Sequence, residues 1–111
     1  MPDKSTSLGE LEALVLLAVL RQDGEAYGVP VRDEIRRRAG RSLTLGTVYK
    51  TLMRLEAKGL LATRTSAPEP RRGGRRRKLY RLTALGRRAL QRTLATLDRM
   101  ADGLPIPSTA R

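Results

Sequence analysis

Thr47, Lys50, Thr51, Arg54 and Lys58 lie three or four residues from one another within Gly46–Leu61, and hydroxyls and cations at that spacing make an anion-binding helix face. At about 100° per residue, Val48, Leu52 and Leu55 fall on a different stripe, so one side of the helix can dock on a core while the other meets a polyanion. Lys50 and Arg54, one turn apart, can donate to guanine edges in a major groove, and threonine can touch a thymine methyl or a phosphate. Thr47 sits near the helix N-terminus, where unpaired backbone N–H groups already favour phosphate. Lys58, near the exit, is placed for a backbone contact. Tyr49 lies about 60° beyond the apolar stripe. That leaves it two roles: packing with its hydroxyl exposed, or donating to a phosphate.

A second constellation follows. Arg71, Arg72, Arg75, Arg76, Arg77 and Lys78 place six cations in eight residues, with Glu69 the nearby carboxylate. Such mutual repulsion is relieved by an anionic ligand. An arginine-rich loop can lie along phosphates or enter a narrow minor groove, where negative potential is enhanced. The Pro and Gly residues of Ala67–Arg77 predict an irregular loop, a wing spanning 65–77.

The elements that must hold these groups are legible from caps and periodicity. Thr44 predicts the N-cap of the basic helix and Gly59 its end, with Thr44 itself close enough to the same face to join the contact set. Before it, Tyr27–Ala39 reads as a helix with Pro30 in its first turn, Val31 and Ile35 on its buried side, and Gly40 as its stop. Asp33 with Arg37 and Glu34 with Arg38 are favourable i,i+4 pairs. Ser7-Leu8-Gly9-Glu10 has the S-x-x-E form of a capping box and predicts a first helix starting near Leu8. Its apolar surface, through Leu11, Leu14, Val15, Leu16 and Leu17 to Leu20, is wider than one stripe, which implies contact on more than one side. Leu60–Arg64 and Lys78–Thr83 read as strands. Thr83 caps a last helix from Ala84 to about Ala101, closed by Gly103 and Pro105. Leu90, Leu94, Leu97, Ala101 and Leu104 in and after it alternate by four and three, the spacing of a coiled-coil seam. A homodimer is therefore expected, with this seam meeting Leu11 and Val15 of the first helix, or the same seam, in a second copy.

The fold class expected is mainly α with a small β-hairpin: a winged helix-turn-helix over 8–83 and a C-terminal dimerisation helix over 84–104. Residues 1–7 read as a flexible lead-in and 105–111 as a disordered tail. The whole chain, 111 residues, is about the size of one domain. Its core must be aliphatic, since it has three Tyr and no Phe or Trp.

Twenty-three Lys and Arg against eleven Asp and Glu give a net charge of +12, which steers polyanions toward the surface. Nucleic acid is the first partner implied. The longest apolar run, Ala13–Leu20, is far short of the roughly 20 residues that span a bilayer, and no secretory signal opens the chain. A cytoplasmic protein that engages no membrane is expected. Without Cys or His there are no disulfides, no thiolate or imidazole metal sites and no histidine base. Glu10, Glu12, Asp33 and Glu34 occupy capping and ion-pairing positions, so no catalytic pair is visible and neither an enzyme nor a cofactor is expected.

Four motifs in order resemble the PadR family of bacterial transcriptional regulators: Leu8-Gly9-x-Leu11-Glu12-x-Leu14-Val15-Leu16, Tyr27-Gly28, Gly46-Thr47-Val48-Tyr49-x-x-Leu52-x-x-Leu55-x-x-Lys58-Gly59-Leu60, and Tyr80-x-Leu82-Thr83-x-x-Gly86. The likeness runs from Leu8 to about Leu97. It implies a winged-helix homodimer, usually a repressor, that binds an inverted repeat and in some members is released by a small-molecule effector. By position, Tyr27, Thr47, Tyr49, Lys50 and the wing cations take over the DNA-contacting roles, and the single C-terminal helix matches the short subgroup. Family members that sandwich flat aromatic drugs use a tryptophan, which this chain lacks. The alternative reading is a winged-helix protein that binds DNA or RNA without sequence choice; a third is an adaptor whose arginine loop grips an acidic protein.

Overall fold

A computed structural model describes residues 8–66 and 77–106. The chain runs α1 (Glu10–Arg21), α2 (Gly28–Ala39), α3 (Leu45–Ala57), β1 (Leu61–Thr65), β2 (Lys78–Leu82) and α4 (Ala84–Ala101). The strands pair antiparallel with Leu61 opposite Leu82, Thr63 opposite Tyr80 and Thr65 opposite Lys78. Ala26, just before α2, bridges to Tyr80, whose N–H donates to the Ala26 carbonyl at 2.8 Å. The three helices thus close over a hairpin that is tied to the α1–α2 turn, a winged helix-turn-helix.

The core is aliphatic apart from one ring. Val15, Leu16 and Val19 of α1, Val31 and Ile35 of α2, Val48, Leu52 and Leu55 of α3, Leu60 and Leu61, and Leu82 pack around a buried Tyr80. Burial of each such side chain contributes about 1.5–3 kcal/mol relative to exposure.

Helix ends follow local chemistry. Gly40 (φ 68°) ends α2 and Gly59 (φ 79°) turns the chain out of α3, both in the left-handed region that other residues enter only with strain. Thr44 Oγ1 accepts from Thr47 N–H at 3.1 Å, and Thr83 Oγ1 accepts from Gly86 N–H at 3.0 Å, capping α3 and α4. The Thr83 hydroxyl also donates to the Gly59 carbonyl at 2.7 Å, joining the exit of α3 to the start of α4.

Three expectations are corrected. The first helix starts at Glu10, two residues late, and its reciprocal carboxylate is Glu12, which accepts from Gly9 N–H at 3.1 Å. Glu10 instead pairs with Arg41 at 2.7 Å, and Ser7 lies outside the described residues. Asp33 pairs with Arg32 and Arg36, and not with Arg37; both Arg37 and Arg38 converge on Glu34. Val15 and Leu90, expected at a subunit interface, are buried in their own core. An apolar period identifies which residues seek cover but not which surface supplies it. Leu11 packs, half-buried, against the same core. Leu94, Leu97, Ala101 and Leu104 remain exposed, with Leu97 at 61%. The lead-in 1–7, most of the wing and residues 107–111 lie outside the described residues.

Candidate nucleic-acid interface

Helix α3 buries Val48, Thr51, Leu52 and Leu55. The centre of its outer face is therefore Gly46, Lys50, Met53 and Ala57, with Tyr49 on one flank and Arg54 on the other. Thr51 is a correction: it is 1% exposed, and its hydroxyl donates to the Thr47 carbonyl at 2.9 Å, which leaves nothing to offer a base or phosphate. It lies only about 60° around the helix from Val48, whereas Met53 lies about 140° away. Met53, 58% exposed, is the residue that sequence reasoning missed, and that angle was the available signal.

Lys50 stands exposed on this face. Thr44 and Thr47 cluster at its N-terminal end, the Thr44 hydroxyl donating to Thr47 Oγ1 at 2.9 Å. The Tyr49 ring lies against Gly28: a Cβ there would come within 2.5 Å of the Tyr49 Cζ. Gly28 is thus what lets Tyr49 fold across the start of α2, beside Tyr27. The Arg77 guanidinium sits 4.3 Å from the centroid of the Tyr27 ring, so the wing root and the start of α2 are held together by a cation–π contact. Ser66 N–H donates to the Arg77 carbonyl at 2.7 Å and Arg77 N–H donates to Ser66 Oγ at 2.9 Å, closing the stem of the wing. Arg71, Arg72, Arg75 and Arg76 lie outside the described residues.

Other predicted cations are already engaged within the chain. Lys78 Nζ sits 3.1 Å from Glu56 Oε1, and that carboxylate raises the Lys78 ammonium above its ordinary value. Arg54 Nε and Lys58 Nζ both reach Glu12 Oε2, at 3.2 and 2.9 Å. Burial pushes the Glu12 carboxyl up, but hydrogen bonds from Lys58, Gly9 N–H and Arg54 outweigh it and hold the group below its ordinary 4.5. Glu34 is also lowered, chiefly by its hydrogen bond from Arg38.

A carboxyl lowered by folding favours the native state at pH above its unfolded value, and that contribution is lost as pH falls through the folded value. Stability is therefore expected to be flat from pH 7 to about 5 and to fall below 4.5 as Glu12 and Glu34 take up protons. Thermal melts between pH 7 and 3 check this, and Glu12→Gln should make the acid limb shallower. An equally steep limb in that variant would show that Glu12 has no part in it.

Among the described residues the face offers one ammonium outside the ion pairs, a thioether, two phenols and the two threonines of the helix cap, with arginines at its edge. That is equipment for binding an anion with a shaped apolar surface. Among the described residues no three His, Cys, Asp or Glu side chains converge on a metal position, and no helix is long and apolar enough to cross a membrane.

Comparison with known proteins gives this arrangement its context. Transcriptional regulator Rv3488 of Mycobacterium tuberculosis is 37% identical over 91 residues, covering 80% of this chain and 80% of that protein. The crystal structure of a PadR family transcriptional regulator from Eggerthella lenta superposes with a TM-score of 0.66 at 30% identity, over 86% of this chain and 82% of the other. Bacillus subtilis PadR, solved in complex with operator DNA, superposes with a TM-score of 0.61 at 24% identity, over 91% of this chain and 53% of that one. The model of the transcriptional regulator PadR-like family matches residues 16–92, which take in α2, α3, the hairpin and the root of α4. With that span and the 37% relative, the chain belongs to the PadR-like family of transcriptional regulators, which are not enzymes.

Proposed function

We propose that this protein is a cytoplasmic, homodimeric repressor that binds an inverted-repeat operator in double-stranded DNA. The observation that carries the reading is the outer face of α3, where exposed Lys50 and Met53 stand between Tyr49 and Arg54 with the wing root alongside. A helix of this diameter fits a major groove, and two copies one helical turn apart, about 34–36 Å, would read a palindrome. Operator DNA bound to the structurally similar Bacillus subtilis PadR supports the same use of the fold.

In this reading Lys50 and Arg54 meet base edges and Met53 supplies apolar contact. Thr44, Thr47, Tyr27 and Tyr49 meet phosphates around the N-terminal ends of α3 and α2. Arg71, Arg72, Arg75, Arg76 and Arg77 grip the flanking backbone or minor groove, with Lys58 and Lys78 as secondary charges. The dimer is supported by the apolar stripe of Leu94, Leu97, Met100, Leu104 and Ile106, which stays exposed among the described residues. A small-molecule effector would be held without a tryptophan sandwich, since the chain contains no Trp.

Selection of bound sites from random duplex DNA tests the proposal. Recovery of an inverted repeat preferred by about 10³ or more over random duplex is expected. Recovery of no preferred sequence would favour instead a charge-driven DNA- or RNA-binding protein, and no binding at moderate salt would favour an adaptor for acidic proteins. On the selected site, Lys50→Ala is expected to cost about 1–3 kcal/mol and to relax preference at particular base pairs. Neutralising Arg75, Arg76 and Arg77 with glutamine should instead weaken all sequences and flatten the salt dependence. Equal losses on selected and random DNA for Lys50→Ala would remove it from base reading.

A further inference from the structure

Glu12 belongs to α1 yet spends its charge on α3. Its Oε1 takes the Gly9 N–H, and its Oε2 takes both Arg54 Nε and Lys58 Nζ, contacts that span 42 and 46 residues of sequence. The Glu12 side chain is only 10% exposed, and burying an ion carries a desolvation penalty that a neutral side chain would avoid. The cap alone does not require the charge, because glutamine at the third helical position satisfies the same backbone N–H. What a carboxylate adds over an amide here is its hold on two cations of α3.

The two cations are held differently. Arg54 is bound through Nε, so the two Nη nitrogens, a fork suited to guanine O6 and N7, are not used by Glu12, and its side chain stays 51% exposed. Lys58 is bound through the ammonium itself, its only donor group, and its side chain is 29% exposed. One contact leaves a reading edge available, whereas the other sets a carboxylate directly against the charge, with two of the ammonium's three N–H groups not used by Glu12. In a protein of net charge +12, every free cation strengthens attachment to any duplex by releasing counterions, whatever its sequence.

We propose that Glu12 is a positioning residue for DNA selectivity, aiming the Arg54 guanidinium at bases while withholding the Lys58 ammonium from the phosphates of non-cognate duplex. This rests on the DNA-binding reading above. The carboxylate acts as a resident anion in the place a phosphate would take, so sequence-independent attachment is weakened where base recognition is not.

The test compares the intact chain with Glu12→Gln on two probes, the duplex selected by the wild type and a random-sequence duplex of equal length, over a range of salt. For the variant, binding to random duplex is expected to tighten about threefold or more, with a log–log salt slope steeper by about one for the released lysine. Preference for the selected duplex should fall about tenfold as Arg54 loses its aim. Adding Lys58→Gln to Glu12→Gln should bring the slope back toward the wild-type value, a reversal that general loosening of the fold would not give. Independently of any variant, the Lys58 ammonium resonance of the wild type should hold its position when random duplex is added while that of Lys50 moves. Unchanged slope and preference in a Glu12→Gln protein that melts cooperatively would overturn the proposal, as would a Lys58 resonance that moves with Lys50. Failure of the wild type to select any sequence would sink the operator reading, yet the slope on random duplex would still decide whether Glu12 restrains Lys58.

Discussion

Gly86→Ala is expected to lower stability by about 3 kcal/mol or more, at or beyond the upper end for over-packing substitutions. A Cβ on Gly86 would stand 2.1 Å from the Leu60 carbonyl oxygen and 3.1 Å from its carbon. Both are backbone atoms, so no side chain can swing aside, and relief requires α4 to lift away from the exit of α3. That shift would stretch the Thr83 N–H bond to the Leu60 carbonyl, now 3.1 Å, and the Thr83 hydroxyl bond to Gly59. For a domain of this size the melting temperature should drop by about 12 °C or more. Gly46→Ala is the control: its nearest neighbour would be Thr44 Oγ1 at 4.0 Å, and alanine there gains helix propensity, so stability should hold or rise by up to about 1 kcal/mol. A Gly86→Ala melt within a degree or two of wild type would show that the helix root yields freely.

Leu52→Ala is expected to cost about 2–5 kcal/mol, the range for deleting a fully buried leucine side chain and leaving its cavity. Leu52 is completely buried, with Val48 and Leu55 a turn away on the same stripe. The loss matters beyond stability because this stripe is what presses α3 onto the body, and the orientation of Lys50 and Met53 depends on it. Met53→Ala, one residue on, removes a side chain of similar size from the exposed face and should change stability by no more than about 0.5 kcal/mol. Urea midpoints of the two variants provide the comparison. A shift for Leu52→Ala of under about 1 kcal/mol would mean that α3 is held mainly by its polar contacts.

The helix and strand boundaries were readable wherever one residue had a local chemical task. Thr44 and Thr83 bind backbone N–H groups three residues on, and Gly40 and Gly59 supply the left-handed turn, so those ends needed no tertiary knowledge. The start of α1 was less readable because Glu10 and Glu12 both stood within reach of a cap. Arg54 and Lys58, far along the chain, together with the backbone at Gly9 select Glu12. Thr51 was misplaced because a hydroxyl that bonds back to its own helix can be buried without penalty, so polarity was a poor guide to exposure there. Val15 and Leu90 were assigned to a partner for a related reason. Their spacing marks them as apolar contacts, but only the packed structure reveals that the core of their own subunit already covers them.

The root of α4 is clamped by Thr83 and by the backbone approach at Gly86, yet beyond Leu90 the helix buries no residue against the rest of the described structure. Gln91–Ala101 amounts to a stiff lever about 16 Å long. A sideways push at its tip becomes torque at its base, delivered to the turn where the basic helix ends, with no loose joint to absorb it. In a pair joined tip to tip, a few degrees of splay would change the spacing of the two reading heads without anything touching them.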